Sequence, residues 1–488
     1  MRTMGIIAKV FLLIIVVTIS LNCNNPDETN TFIKPDTGSF KNNIALKRPA
    51  IFKGNAINEL ANLLAGNKTD SFTNIQNENY YRNYKKTIHS DWITIQNVSI
   101  NPVKKWIETE NIGSASDTAT LFYPFSGPDF IYAYTFFPFC KNYILFGLEN
   151  TGTLPDFNKT SPNSVAQYLN NLQHTFRYMN KHGFFVTEHL KNDFTDTLLN
   201  GAIHIILFYM GRLNLQIESL KYIYIDNYGK IKPIEGAMNE IKIIDGIQIT
   251  FQNAGNSFKQ TLYYFPVDVS DENLKEYPEF LFFVNNLGSK ITYIKSGSYL
   301  LHEPGFSQLK KIICKQTVKL LQDETGLSFT DIAANFKYTL YGSYTKTLPD
   351  FEKYHQPMLA QAIKNENAKP LPFKLGYGSQ LHETVIIAGT PLLQHVTNNE
   401  VTYKVQIIIS WEKIPLHAEK FQAFTKVDYY FDSGFYKYTI GSENSEEACM
   451  ELVKSANQNG FPDAFILAFY KGNRISLEQA KTINQKYN

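Results

Sequence analysis

Cysteine is scarce in this chain, four in 488 residues, and no two of them have the C-x-x-C spacing. That argues against a disulfide scaffold and against a thiolate metal site. Charge of one sign is missing too: 47 Lys and Arg stand against 45 Asp and Glu, a formal +2. With no Lys/Arg block, the electrostatic footprint of a nucleic-acid partner is absent. Long apolar runs are also lacking; the one at the start, Val10 to Ile19, is about half of what a membrane-spanning helix needs. Catalytic signatures are missing as well. His302 in HEPGF and His382 in HET each stand beside a glutamate, but Phe306 and Ile386 occupy the place of a zinc-protease helix's second histidine. KSGSYL lacks the nucleophile-elbow glycines, and GNKTD and LGYGSQ lack the Lys–Ser/Thr pair of a phosphate loop. No metal ligand set, cofactor fingerprint or catalytic constellation is legible.

What is present is a globular composition, 43% hydrophobic and 19% charged, long enough for two or three domains. Aromatics reach 14%, including 36 Phe and 30 Tyr, which supply large core side chains and stacking surfaces. Residues 1–22 read as a signal peptide, with Arg2 and Lys9 ahead of the apolar run. Cys23 follows directly and leads into polar NNPDETNT. This arrangement resembles a bacterial lipoprotein signal, which implies that the Cys23 thiol is acylated and anchors the chain to a membrane. Ser20, Leu21 and Asn22 stand before the cysteine. Residues 23–44 are polar, carry Pro26 and Pro35, and read as a tether; twenty such residues reach ~70 Å when extended. Of the remaining cysteines, Cys449 falls in an amphipathic helix pattern and reads as a small core residue, while a bridge between Cys140 and Cys314 stays open.

Residues 45–385 are expected to form a large α/β-type body, with a division into two halves near 215. AINELANLLAG is a short helix stopped by Gly66, and NYILFGLE a buried strand. SPNSVAQYLNNLQHTFRYMNKHG is a helix with Ser161 as N-cap, Pro162 first, Gly183 as stop, and an apolar stripe of Val165, Leu169, Leu172, Phe176 and Met179. KYIYID, IQITFQN and TLYYFPVD read as strands. DENLKEYPEFLFFVNNLG reads as helix before KITYIKS, and GFSQLKKIICKQTVKLLQDETG as helix before KYTLYGSY. YPFSGPDF has two readings: a sugar or peptide pocket, or a rigid loop in which Asp129 bonds backbone. Residues 386–401 read as a linker.

The last stretch is more informative. TYKVQIII alternates as a strand, with Val405, Ile407 and Ile409 on one face and Lys404, Gln406 and Ile408 on the other. HAEKFQAF reads as a short helix, KVDYYF and FYKYTIG as a hairpin, and DAFILAFYKG as a final strand. The helix SEEACMELVKSANQNG is capped by Ser442 or Asn444 and has Ala448, Leu452 and Ala456 in line. The order is β-α-β-β-α-β, with both helices on one face and the other face open. Hairpin parity puts Tyr436, Tyr438 and Ile440 inward and Phe435, Lys437 and Thr439 outward.

YKVQI, FYKYTIG, SEEA and GFPDAFILAF together resemble the SPOR (sporulation-related repeat) domain, a peptidoglycan-binding module of bacterial envelope proteins; the likeness spans 402–476. The resemblance implies binding to glycan strands stripped of stem peptides through the open face. On it, Gln406 matches the strand-one glutamine, and Phe435 and Lys437 match the aromatic-x-basic pair of strand three, with Tyr436 between them in the candidate set. Ile408 and Ile409 replace the Gly-Ser that commonly follows the glutamine, and Lys437 the usual arginine. The expected fold class is therefore α+β: an α/β-type body plus a C-terminal ferredoxin-like βαββαβ SPOR-like domain, residues 402–480. The expected role is wall binding and scaffolding in the bacterial envelope, lipid-anchored and facing the periplasm, with an envelope protein as a further candidate partner. A wall-remodelling enzyme with a catalytic body is the alternative. RNA-recognition domains share the β-α-β-β-α-β order, but 402–476 carry 8 Lys/Arg against 9 Asp/Glu, and export removes the unit from RNA. A small domain that only packs against its own chain is the remaining rival.

Overall fold

The computed structural model describes residues 51–112, 118–182, 198–234, 244–255, 258–347, 349–376, 384–392, 401–416, 418–424, 427–432, 435–443, 445–470 and 473–487. The signal peptide, Cys23, the tether, Gly183 and His382 lie outside the described residues. No helix among them is long and apolar enough to cross a membrane.

The body is a mixed sheet with helices. Its strands in chain order are β1 (Ile51–Lys53), β2 (Thr120–Tyr123), β3 (Asn142–Gly147), β4 (Gln216–Ile225), β5 (Ile231–Pro233), β6 (Asp245–Gln252), β7 (Gln260–Pro266), β8 (Lys290–Ile294), β9 (Thr317–Gln322), β10 (Phe336–Gly342) and β11 (Val385–Pro391). They lie in the order β1-β4-β6-β7-β3-β2-β8-β9-β11-β10, with β5 hung on β4. The five central strands, β7-β3-β2-β8-β9, run parallel, and antiparallel strands complete both sides. Parallel strands must be covered on both faces, and their sequences show it. Leu121 and Tyr123 of β2 enter one core while Phe122 enters the other, and β3 divides likewise into Tyr143 and Leu145 against Ile144 and Phe146.

The first core is closed by helices α1 (Asn55–Leu64), α2 (Asn79–Ile95), α3 (Asn101–Glu110), α4 (Phe130–Phe136), α5 (Pro162–His182) and α6 (Ala202–Arg212). Helix α6 is buried along its whole length, as its all-round apolar sequence requires, while α5 buries the expected stripe from Val165 to Met179. The second core is closed by α7 (Asp271–Glu276), α8 (Pro278–Asn286), α9 (Ser307–Gln316), α10 (Phe329–Asn335) and α11 (Pro357–Asn365).

The chain leaves β2 for β3 on one side, through α4 on the first face, and leaves β8 for β9 on the other side, through α9 on the second face. Right-handed crossovers running in opposite directions place their helices on opposite faces. Neighbours β2 and β8 therefore flank a switch point, where open α/β sheets leave a crevice outside the carboxyl ends of the strands.

Several expectations change. There is no division near 215: β4 pairs with β1 and β6 in the same sheet, and one core runs from Ile57 to Ile386. The linker begins later than 386, because β11 pairs with both β9 and β10 and belongs to the body. TVKLLQ is strand β9, not a continuation of helix α9; pairing with β8 and β11 outweighs its helical pattern. DENLKEYPEFLFFVNN breaks at Tyr277-Pro278 into two helices. Cys140 sits in the first core and Cys314 packs on the second, both as free thiols, so the open bridge is not made.

The C-terminal region is a separate antiparallel sheet with its own core. Strands β12 (Val401–Ser410), β13 (Val427–Asp432), β14 (Phe435–Glu443), β15 (Phe465–Tyr470) and β16 (Asn473–Ile475) lie in the order β13-β14-β12-β15-β16. Helices α12 (Glu446–Gln458) and α13 (Leu477–Tyr487) pack on one face of it. Strand β16 and helix α13 extend the unit past the expected last strand, and buried Ala480 belongs to its core. HAEKFQAF forms only a single turn, Glu419–Phe421, that buries Phe421. The cap of α12 is Ser445, whose hydroxyl accepts from the Ala448 N–H at 3.1 Å. Its core stripe is Cys449, Leu452, Val453 and Ala456, while Ala448 is exposed.

Candidate functional site

Strand parity decides which side chains reach the face that the helices leave uncovered. On β14, Tyr438 and Ile440 enter the core with Tyr436 packed beside them, so Phe435, Lys437 and Thr439 point to the other face, as expected. Strand β12 behaves less simply. Gln406 pairs with Thr439 and Ile408 with Tyr438, leaving Ile407 as an extra residue, a β-bulge. Parity inverts past it: Ile407 and Ile408 both face the core, and Ile409 is exposed beside Lys437. The expected assignment of Ile408 and Ile409 is thereby reversed.

The bulge also sets the position of Trp411, one residue past β12. Its ring lies 3.9 Å from that of Phe435, and it is 75% exposed. Ile409 and Phe465 on the neighbouring strands are exposed as well. Further along, Tyr430 packs edge-on against Phe469 at 5.5 Å. Lys437 lies 5.9 Å from the Tyr430 ring and Lys404 5.9 Å from that of Phe469, with Lys404 also paired to Asp428 at 2.9 Å.

Of the four sequence candidates, Phe435 and Lys437 come together on this face. Gln406 is only 4% exposed: it lies on the same face but beneath Tyr430, whose hydroxyl donates to its amide oxygen at 3.0 Å. It positions Tyr430 and is closed to solvent. Tyr436 is on the opposite side, against Tyr429 and the core, and does not join. Trp411, Tyr430, Phe465 and Phe469 were missed. The tryptophan was readable as an aromatic directly after a strand, but its face could not be assigned without the bulge.

Together these side chains make two adjoining aromatic areas, Trp411–Phe435 and Tyr430–Phe469, with ammonium groups at their margins. Such a surface can stack the C–H face of a ring and donate hydrogen bonds to its substituents.

In the body, Asp129 takes the backbone N–H of Tyr132, and its other partners are side chains. Its carboxylate accepts from Tyr123 at 2.9 Å and pairs with Lys295 at 2.6 Å. His302 contacts the rings of Tyr299 and Tyr354, and burial pushes its pKa down to about 4. Glu303 beside it is held by Lys353 and Tyr354 and lies below the ordinary glutamate range. Among the described residues no group of His, Cys, Asp and Glu is arranged to hold a metal ion.

No family model, no curated protein and no solved structure matches this chain. The functional reading therefore rests on residues and geometry.

Proposed function

We propose that the C-terminal unit binds the glycan strands of the bacterial cell wall, and that the chain is an exported envelope protein with a lipid at Cys23. The observation that carries this reading is the Trp411–Phe435 pair beside Lys437, on the sheet face that neither helix covers. Stacking planes on a helix-free sheet suit a long, thin polymer, for which no deep pocket is needed. The strand order β13-β14-β12-β15 is that of a ferredoxin-like β-α-β-β-α-β unit, although only a single turn stands where its first helix belongs. It supports the SPOR-like reading, in which Phe435 and Lys437 keep their assigned roles and Trp411 joins them.

In this reading the lipid and the wall contact hold the body between membrane and wall, a binding and scaffolding role. Wall-fragment release by the body that disappears on substitution of Asp129 or His302 would favour the wall-remodelling alternative instead.

The three tryptophans supply a test. Trp92 and Trp106 are buried and Trp411 is exposed, so a change in emission on adding denuded glycan strands to the full chain reports on Trp411. The expected result is a blue shift that disappears in Trp411→Phe. Unchanged emission at saturating glycan overturns the proposal.

A further inference from the structure

The body carries an unassigned polar centre at its switch point. The loop after β2, residues 124–129, and the loop after β8, residues 295–299, meet there: a Cβ added at Gly297 would lie 3.6 Å from the Phe125 ring. The floor is made of side chains withdrawn from water. Lys295 (4% exposed) pairs with Asp129 (2%) at 2.6 Å, and the Lys295 ammonium lies 4.1 Å from the Tyr132 ring. Asp323, just past β9, accepts from the Ser296 N–H at 2.7 Å and from the Thr325 N–H at 3.0 Å. Burial pushes the Asp129 and Asp323 carboxyls above the ordinary aspartate range, with Lys295 pulling both the other way.

Two features set this network apart from a structural staple. One is strain. Phe125 (φ 60°), Ser296 (φ 55°), Ser298 (φ 52°) and Tyr299 (φ 56°) are non-glycine residues in the left-handed region, and the first three are half-buried at the rim of the centre. Such strain concentrates at ligand sites because the surrounding structure must hold it in place. The other is incomplete hydrogen bonding. The Tyr293 hydroxyl, 1% exposed, has no partner, although its ring lies 4.6 Å from that of Tyr123, the tyrosine that donates to Asp129. Asp129 Oδ1 has no partner beyond the Tyr132 N–H, which leaves this carboxylate oxygen a lone pair to spare. A buried donor with no partner costs free energy, which a ligand that accepts from it and donates to the spare lone pair of Asp129 would recover.

We propose that this centre binds a small neutral carbohydrate, one hydroxyl of which accepts from Tyr293 and donates to Asp129 while Phe125 covers its ring from the rim. Three carboxylates, Asp129, Asp323 and the adjacent Glu324, against one ammonium leave no excess positive charge to attract an anion, and Phe125, half-buried at the rim beside Phe306, suits a sugar ring. The assignment is independent of the C-terminal face.

The test is the melting temperature of the full chain carrying Trp411→Ala and Phe435→Ala, so that the C-terminal face has lost both stacking rings and the two readings fail separately. The probes are N-acetylglucosamine, its neutral β-1,4-linked dimer, and D-alanyl-D-alanine. A sugar at ten times its dissociation constant should raise the melting temperature by about 2 °C. Tyr293→Phe should abolish that rise while melting, without sugar, no lower than its parent, since it deletes only an unpartnered hydroxyl. The proposal is overturned if neither sugar raises the melting temperature, if only the dipeptide does, or if Tyr293→Phe keeps the full rise.

Discussion

The indole of Trp411 rests against the ring of Phe435 at 3.9 Å, one aromatic from just past a bulged strand and the other from the start of its partner. Trp411 contributes little to the core, so Trp411→Ala should leave stability within about 0.5 kcal/mol. Glycan affinity should fall about tenfold, the scale of a central aromatic anchor. Urea melts and binding isotherms on the same protein check both halves; a large stability loss would place the residue in the core instead.

The bulge makes a paired prediction. Ile408→Asp puts a carboxylate against the C-terminal core and should destabilise the unit by about 3 kcal/mol or more. Ile409→Asp changes an exposed side chain and should cost less than about 1 kcal/mol. Without the extra residue at Ile407 the two outcomes would be exchanged, so chemical denaturation of the two variants tests the register directly.

How much of this was legible in the sequence depended on distance along the chain. The alternation of Ile247, Ile249 and Phe251 and the stripe of α5 were readable because strand and helix periods are local. The segment TVKLLQ was not: its helical pattern lost to two strand partners, one of them contributed by residues some seventy positions later. Phe435 and Lys437 followed from hairpin parity, whereas Gln406 was placed on the right face but under Tyr430, a contact between strands 24 residues apart. The Asp129–Lys295 pair joins two loops that stood out separately in the sequence, and only the order β3-β2-β8-β9 brings them together.

That pair carries its own prediction. Lys295→Met leaves the buried Asp129 without its cation and should cost about 3–5 kcal/mol in equilibrium unfolding. Adding Asp129→Asn should recover part of the loss, because no unpaired charge then remains. Strictly additive costs would contradict the pairing.

The buried imidazole of His204 predicts a pH dependence. It lies 3.0 Å from the Tyr168 hydroxyl and faces Asn200, and burial pushes its pKa down to about 3. A base depressed in the folded state is protonated first in the unfolded chain. Its contribution is therefore present above about pH 6.5 and is lost as pH falls toward 3. His204→Gln should flatten the decline of stability between pH 6.5 and 4; an unchanged slope would show that His204 is not buried neutral.

The most direct measurement of the central claim is sedimentation of the full chain with purified sacculi, for the parent and for Trp411→Ala combined with Phe435→Ala. The parent should pellet with the wall, and the double variant, folded by circular dichroism, should need at least about tenfold more wall to do so. Equal pelleting of the two proteins, or a parent that stays in the supernatant, would contradict the account.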